Sequence, residues 1–305
     1  MGKWSVPTAR SELASVCVET GARIDTFVVR MPRIILAEFN THRLISKPTD
    51  RDQRVMLDFS RNAASSRAIP FKRMIAQVMD DPFVPLVWTS EQPGMQGQII
   101  TDTADIAYLE SDWISARDMA VENAEQMHKR GVHKSIPNRL LEPWMWTTVV
   151  ATACDLTGFW HQRCDSAAEH HMRLTAEAMR EAWMHANVQE LQAGEWHLPF
   201  TDDIVDGAGI QRRWNPEQRI IMSVARAASV SYKTVDGFDM TLDRAHDLYQ
   251  RLKTQGHWSP FEHQAAADRK SWRVSTGYNE WMSPHEHRNL FGWRQYRAMV
   301  DCDGR

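Results

Sequence analysis

The segment 24–37, with the sequence IDTFVVRMPRIILA, places the tightest limit on the fold, because Pro32 interrupts a run rich in β-branched residues. Such a run favours a β-strand, whereas proline lacks the N–H group that a continuing ladder or helix requires. The segment therefore predicts a strand that ends near Pro32 and a helix that starts at or after it.

Helical spacing covers much of the remaining chain. Apolar residues recur at helical intervals over 103–130, and Gly131 predicts the end of that helix. Asp155 is expected to cap a helix that runs past Arg163 to about residue 191. The same reasoning allows a helix over 55–66 and predicts two further starts, at Asn215 with Pro216 (running through Arg226) and at Thr241 (ending at Gly256).

Two polar stretches separate these elements. Residues 82–101 contain three prolines and two glycines and predict a long loop. Residues 192–214 form a polar connection, which predicts a core over 1–191 and a further segment over 215–305 within one integrated domain. The whole pattern predicts an α+β protein, mostly helical, with a small central β-sheet.

Composition excludes several classes of protein. The 305 residues are 43% hydrophobic with a net charge of −3, which excludes a disordered chain and argues against nucleic acid as a general partner. No apolar run approaches the ~20 residues of a membrane helix, and the N-terminal residues lack an apolar signal core. No cysteine belongs to a CxxC pair, so we expect a cytoplasmic protein whose four cysteines are reduced: Cys17, Cys154, Cys164 and Cys302.

Arginine beside small hydroxyl residues makes the first candidate site. His42, Arg43 and Ser46 are followed by the segment 60–67, SRNAASSR. An arginine offers a fork of donors, and serine adds further hydrogen bonds, so the combination suits a phosphate group. A surface arginine next to a serine-rich helix end is the alternative interpretation.

Two further groups of residues also have the chemistry of a site. Arg163 lies on an otherwise apolar helix and needs either an anionic ligand or a carboxylate, such as Asp165 or Glu169. The segment 257–263, HWSPFEH, carries a capping-box pattern that predicts another helix start. Its histidines have no cysteine or carboxylate cluster at ligand spacing, so no metal site is predicted. Motifs typical of serine hydrolases, P-loop proteins and Rossmann folds are absent from the sequence.

Together these segments resemble the flavin-dependent thymidylate synthases. The signature of that family reads RHRxxSxNExSxR and follows a helix that begins with proline and contains a glutamine. An insertion in this chain leaves two serines as candidates for the signature serine. The matching positions are Pro32, Glu38 (for the glutamine), Thr41-His42-Arg43 (for RHR), Ser46 or Ser60, and 62–67, NAASSR.

Other family segments occur in a shifted order. The family's middle motifs resemble 133–137, HKSIP, and the stretch 152–172. Its N-terminal motifs resemble 227–232, AASVSY, and 257–263, which lie here near the C-terminus. The order is that of a circular permutation, and it predicts that His263 lies near the start of the strand at 26–31. Residues 266–305 have no counterpart in the family.

The resemblance implies a reaction. Members of the family bind FAD, NADPH and 5,10-methylenetetrahydrofolate, and they transfer a one-carbon unit to C5 of dUMP, which becomes dTMP. For this chain the resemblance implies the same fold in permuted order and a deoxypyrimidine monophosphate as substrate. It also implies a homotetramer with shared active sites.

The resemblance also assigns roles to single residues. Arg163 and Glu38 would be the catalytic pair, with Arg163 polarising the pyrimidine ring. Further substrate contacts would come from Ser65, Ser66, Arg67, His133 and Lys134. Cofactor contacts would come from Thr41, His42, Arg43, Ser46, Ser60, Thr152, Gly158, His257 and Ser259. Of these, His257 and Ser259 would contact the FAD of another subunit.

Several positions depart from the family pattern. Thr41 replaces an arginine, while Thr152 and Cys154 replace an asparagine and an arginine associated with FAD. His133 replaces a nucleotide-binding arginine. Glu38 offers only acceptors where glutamine also donates, which favours the amino group of cytosine. The alternatives are therefore methylation or hydroxymethylation of dCMP or dUMP, or a non-catalytic nucleotide-binding relative without FAD.

Overall fold

The computed structural model describes residues 3–41, 43–45, 56–63, 65–93, 97–201, 214–236 and 240–302. The predictions made for His42 and Ser46 lie outside these ranges. Within them, no helix combines the length and the apolar character needed to cross a membrane. Helices and strands are interspersed along the chain, which confirms the α+β class.

The strands form a main sheet and three smaller ones. The main sheet has the order β5-β6-β2-β1-β7, and a three-stranded sheet has the order β12-β9-β8. Strands β3 with β4 and β10 with β11 form antiparallel pairs. The strand bounds are β1 Thr8–Cys17, β2 Arg23–Pro32, β3 Arg43–Ile45, β4 Met56–Asp58, β5 Ser60–Ala63, β6 Trp146–Ala153, β7 Val188–Leu191, β8 Trp196–His197, β9 Ala265–Ala267, β10 Lys270–Arg273, β11 Tyr278–Trp281 and β12 Trp293–Gln295.

The helices begin and end where local signals allow. Pro32 closes β2 and is followed by a 3-10 turn and then by a helix, as predicted. Asn215 and Gln218 exchange capping hydrogen bonds of 2.8 and 3.1 Å at the start of α7. The helix bounds are α1 Leu36–Thr41, α2 Phe71–Asp80, α3 Thr103–Lys129, α4 Pro137–Leu140, α5 Thr157–Arg163, α6 His170–Met184, α7 Pro216–Asp236, α8 Leu242–Thr254 and α9 Tyr296–Cys302.

Two helix predictions are wrong. The described part of 55–66 forms β4, β5 and a 3-10 turn, because β5 pairs with β6 and this tertiary pairing outweighs local helical spacing. The helix capped by Asp155 ends at Arg163, and Glu169 caps a separate helix by accepting from Met172 N at 2.7 Å. Residues 188–191, expected within that helix, form β7 beside β1.

The segment 257–263 and the polar connection also differ from expectation. Residues Ser259–Glu262 form only a 3-10 turn, because the Ser259 hydroxyl bonds to Asn62 instead of capping a longer helix. The connection 192–214 contributes β8, which pairs with β9. The division into 1–191 and 215–305 stays a prediction.

Strand β2 lies at the centre of the main sheet and has two different faces. Successive side chains of a strand point to opposite sides, so Phe27, Val29 and Met31 share one face, where α1, α5 and α6 bury them. Ile24 and Thr26 share the other face, where Ile24 packs against β9 and β12. The main sheet is therefore covered by helices on one side. The other side is covered largely by the three-stranded sheet β12-β9-β8, which we call the smaller sheet.

Phe39 of α1 lies fully buried between two other aromatic rings. Its centroid is 5.5 Å from that of Phe59 and 6.2 Å from that of Phe159. We expect Phe39→Ala to lower the free energy of unfolding by about 3–5 kcal/mol, because it leaves a cavity in the core. The measurement is urea denaturation, with Ile34→Ala, an exposed apolar residue, as the control. Equal losses in both variants would contradict this packing.

Candidate functional site

Glu38 and Arg163, the two residues predicted to be catalytic, form an ion pair. Arg163 Nη1 lies 2.6 Å from Glu38 Oε1, and both side chains keep part of their surface exposed. The pair forms because Phe39 and Phe159 pack edge to face and hold α1 against α5. The partly exposed pair offers both an acceptor and a cationic fork of donors to a neighbouring group.

The carboxylates considered as alternative partners of Arg163 have other roles. Asp165 accepts a hydrogen bond from Ala167 N at 2.7 Å and closes the turn after α5. Glu169 caps α6 and also bonds to His171 Nδ1 at 2.7 Å. Burial is the largest single influence and raises the pKa of the Glu169 carboxyl. The hydrogen bond and charge of His171, together with the backbone N–H groups of Met172 and His171, outweigh it, and the net shift is downward. Sequence spacing favoured the near carboxylates, and only the fold brought Glu38 to Arg163.

Asn62 of β5 joins three segments that carry motifs. Its Nδ2 donates to the carbonyl of Ala227 in α7 at 3.0 Å, and its Oδ1 accepts from Ser259 Oγ at 3.1 Å. The segments 60–67, 227–232 and 257–263 therefore meet at one side chain. Asn62 belonged to the motif but not to the predicted site residues.

A second contact region joins the residues predicted to bind substrate. Lys134 Nζ donates to the carbonyl of Ala68 at 3.0 Å, and Asn138 Nδ2 donates to the carbonyl of Ser66 at 2.8 Å. Ser65 and Arg67 are exposed on either side of buried Ser66. The predicted residues Ser65, Ser66 and Arg67 therefore lie near Lys134, although 67 to 69 positions separate them from it along the chain.

A cleft of about 480 Å³ lies beside this region. Lys72 and Lys134 contribute positive charge, and the described residues that line the cleft include no carboxylate, so the cleft suits an anion. Phe71 and His128 stack in its wall, with ring centroids 4.3 Å apart. Sequence analysis missed Lys72 and His128, because only the fold brings α2 against the end of α3. The lining residues are Pro70, Phe71, Lys72, His128, Gly131, Val132, His133 and Lys134.

The residues predicted to bind cofactor do not share one environment. Thr41 and His257 are exposed, and Gly158 and Ser259 are half-buried, so these positions are open to a ligand. Ser60 and Thr152 are completely buried. The Ser60 hydroxyl accepts from Asn289 Nδ2 at 3.0 Å and Gln295 Nε2 at 3.2 Å. Arg43 begins β3, and His42 and Ser46 lie outside the described ranges.

The buried positions belong to a row of polar residues that crosses the main sheet. Each strand contributes one residue on the face covered by the smaller sheet. We call Gln189, Ser15, Thr26, Thr152 and Ser60 the polar row. His197 of β8 bridges two of its members, since Nδ1 lies 2.7 Å from Ser15 Oγ and Nε2 lies 2.9 Å from Thr26 Oγ1.

His263 lies at the end of this series of hydrogen bonds. Its Nδ1 lies 2.9 Å from Thr152 Oγ1, which lies 2.7 Å from Thr26 Oγ1. His263 therefore lies one hydroxyl away from Thr26, near the start of β2. His263 Nε2 is buried, and no described residue forms a hydrogen bond with it.

Burial controls the ionisation of groups beside the polar row. Removal from water lowers the pKa of His197 to about 3, with a further contribution from His263, and lowers the pKa of His263 to about 3. Burial also raises the pKa of the Cys154 thiol well above its usual value. The two histidines are neutral near neutral pH, and Cys154 is a protonated thiol. Among the residues that the structure describes, no cluster of three or more metal-ligating side chains occurs.

Comparison with known proteins gives structural similarity without sequence matches. No protein family and no curated protein matches the sequence. One similar crystal structure is a UMP/dUMP methylase PolB from Streptomyces cacaoi bound with 5-Br dUMP, at 20% identity and a TM-score of 0.38; the match covers 53% of this chain and 66% of that chain. The same methylase bound with 5-Br UMP matches at 18% identity and a TM-score of 0.42, over 59% and 89% of the two chains.

The contact between Asn62 and Ser259 is open to a double-mutant cycle. Asn62→Ala removes two hydrogen bonds, whereas Ser259→Ala removes the one they share. We expect Asn62→Ala to lower the free energy of unfolding by about 1–3 kcal/mol and Ser259→Ala to lower it by about 1 kcal/mol. The coupling energy between the two substitutions should be about 0.5–1 kcal/mol. Urea denaturation of the four proteins measures the coupling. Strictly additive losses would contradict a direct contact.

The neutral buried histidines predict a pH dependence of stability. Their pKa values are about 3 when folded, against 6.5 for an exposed histidine, so the unfolded chain binds more protons between these values. The free energy of unfolding should therefore fall as the pH drops from 6.5 towards 3, by on the order of 1 kcal/mol per histidine per pH unit. Burial also lowers the pKa of His170 and His287, which act in the same direction.

Urea denaturation at neutral pH and at about pH 5 measures this dependence. His197→Gln should reduce the change of the free energy of unfolding with pH, because the unfolded chain then has one histidine fewer to protonate. His128→Gln, at an exposed position, serves as the matched control. A slope that is the same in His197→Gln and in the wild type would contradict the prediction.

Proposed function

We propose that this protein transfers a methyl group to C5 of a deoxypyrimidine monophosphate in a flavin- and folate-dependent reaction, with dUMP to dTMP as the default. The supporting observation is the meeting of three motif segments at Asn62, which bonds to Ala227 and Ser259. Ala227 and Ser259 lie 165 and 197 positions from Asn62 along the chain, so these contacts are not a consequence of sequence proximity.

The proposal includes the circularly permuted order. In the unpermuted family the segment that ends in the second histidine of HxSPFEH leads into the strand before the signature. Here His263 reaches Thr26 of β2 through the hydroxyl of Thr152. This proximity is what a permutation requires, since the broken connection has to leave its two ends close together.

The substrate phosphate is assigned to the region around Arg67 and Lys134. Arg67 is exposed and Lys134 is half-buried, so both can meet a ligand, and Ser65 adds an exposed hydroxyl. His133, at the edge of the cleft, is the further substrate contact in this proposal. Arginine holds phosphate by paired hydrogen bonds, whereas lysine acts as a point charge.

The pyrimidine ring is assigned to the Glu38–Arg163 pair. The Arg163 guanidinium polarises a ring carbonyl, which makes C5 more reactive. Glu38 holds that guanidinium in place by the contact of 2.6 Å and is a positioning residue in this scheme. Since one Glu38 oxygen already accepts from Arg163, its preference for an amino group of cytosine is weakened, and dCMP stays the alternative substrate, with hydroxymethylation as the alternative product.

The cofactors are part of the proposal. FAD, when bound, would supply the redox chemistry, with NADPH as reductant and 5,10-methylenetetrahydrofolate as carbon donor. The exposed or half-buried positions Thr41, Gly158, His257 and Ser259 fit a cofactor contact, the last two from another subunit of a homotetramer. Ser60 and Thr152 do not fit, because both residues are completely buried and their hydroxyls bond to protein groups.

The poor fit at Ser60 and Thr152 favours a second candidate function. A relative that binds the nucleotide but has lost FAD would keep the charged residues Arg67, Lys134 and Arg163. It would have no need for the asparagine and arginine that Thr152 and Cys154 replace. The two candidates differ in flavin binding and in product formation.

Flavin uptake and product mass distinguish these functions. The full chain is mixed with FAD and then incubated with NADPH, 5,10-methylenetetrahydrofolate and either dUMP or dCMP. We expect a yellow protein that absorbs near ~450 nm, and from dUMP a product heavier by one CH2 unit, because methyl replaces the hydrogen at C5. Nucleotide binding without flavin uptake would support the second candidate, and absence of both would overturn the proposal.

Arg67→Ala tests the proposed phosphate site. It should raise the KM for the nucleotide by about tenfold or more, because a charge-assisted hydrogen bond contributes about 1.5–3 kcal/mol. Arg130→Ala, an exposed arginine that follows α3, is the control. Equal KM values in the two variants would exclude Arg67 from the phosphate site.

A further inference from the structure

The hydrogen bonds of the polar row have a direction that can be worked out from their donors. Gln189 Nε2 donates to Ser15 Oγ at 2.9 Å, so this hydroxyl accepts there. Its single proton is then free for its other partner, His197 Nδ1, at 2.7 Å. The ring of His197 is neutral, so one of its nitrogens donates and the other accepts.

The same reasoning gives the donor and the acceptor in the next two hydrogen bonds. If His197 Nδ1 accepts from Ser15, its proton sits on Nε2 and is donated to Thr26 Oγ1 at 2.9 Å. The Thr26 hydroxyl then donates to Thr152 Oγ1 at 2.7 Å. Each hydroxyl in this series accepts one hydrogen bond and donates one.

The series ends at His263. The Thr152 hydroxyl donates to His263 Nδ1 at 2.9 Å, so the proton of this neutral ring has to sit on Nε2. That nitrogen is completely buried and has no hydrogen-bond partner among the residues that the structure describes. His263 thus offers a buried N–H donor that no acceptor in the described ranges uses.

The opposite direction leaves more groups unsatisfied. With the proton of His263 on Nδ1, each hydrogen bond reverses, and His197 Nδ1 donates to Ser15 Oγ. That hydroxyl would then accept twice, from His197 and from Gln189, and its own proton would have no acceptor. His263 Nε2 would also stay unpaired, as an acceptor. Buried groups without partners are unfavourable, so the first direction is the more stable one.

We propose that Gln189, Ser15, His197, Thr26 and Thr152 form a directional hydrogen-bond relay that fixes His263 as the tautomer protonated on Nε2. The relay residues are positioning residues: they set which group His263 presents. The protonated Nε2 can only donate a hydrogen bond, so an acceptor atom brought to this buried position would satisfy it, whereas a donor would not. The tautomer rests on these hydrogen bonds alone; only its use on a nucleotide or a flavin rests on the proposed function.

Nitrogen NMR of the full chain, labelled with ¹⁵N-histidine and without ligand, tests the relay. Long-range proton–nitrogen spectra at neutral pH distinguish a protonated from an unprotonated ring nitrogen. His263→Gln and His197→Gln assign the two signals by their disappearance. We expect both rings to be protonated on Nε2 only. A proton on Nδ1 of His263 would overturn the proposal, whatever the activity of the enzyme.

Ser15→Ala is the decisive variant, because Ser15 makes no hydrogen bond to His263. Loss of its hydroxyl removes the donor to His197 Nδ1, so His263 should lose its single-tautomer pattern and show a mixture. Ser15→Thr keeps a hydroxyl and should restore the wild-type pattern. Thr26→Val interrupts the relay closer to His263 and should also give a mixture.

Thr175→Val is the matched control. Thr175 is equally buried but lies in α6, on the opposite side of the main sheet, and its hydroxyl bonds to the carbonyl of His171. This variant should leave the tautomer of His263 unchanged. An unchanged tautomer in folded Ser15→Ala and Thr26→Val as well would overturn the relay, since a merely structural row would not transmit the loss.

Discussion

Pairing of β2 with β1 and β6 is the constraint on which the rest of the structure depends. The three strands are paired along most of their length, and the alternation of side chains gives β2 one apolar and one mixed face. Phe27 on the apolar face packs with the helices that carry Glu38 and Arg163. Thr26 on the other face belongs to the polar row. The two regions of proposed chemistry are therefore fixed by opposite sides of one strand.

The polar row shows how a buried polar layer is stabilised. Each hydroxyl in it has partners, whereas unpaired polar groups in a core are costly. The smaller sheet supplies many of these partners, since His197 comes from β8 and Gln295 from β12. The segment 266–305, which has no counterpart in the resembled family, therefore has a structural role: with Asn289 it covers Ser60.

Sequence reasoning predicted that certain residues need partners, but it did not predict which groups are those partners. Arg163 is expected from sequence to need either an anionic ligand or a carboxylate, with Asp165 and Glu169 as the near candidates. In the structure its carboxylate partner is Glu38. The motif serine at 60 and Thr152 were predicted to meet a cofactor, yet protein groups use their hydroxyls. Motif spacing reports residue type and order, but a hydrogen-bond partner from a distant segment leaves no local signal.

The sequence by itself determined some of the points where elements begin or end. Pro32 ends β2 because it cannot donate a hydrogen bond, and Asn215 starts α7 because its side chain caps the helix. Only the tertiary structure decided that the described part of 55–66 forms strands, through pairing of β5 with β6. It also decided that His197 and His263 share one network. Local signals act within a few residues, whereas these contacts join segments more than 60 residues apart.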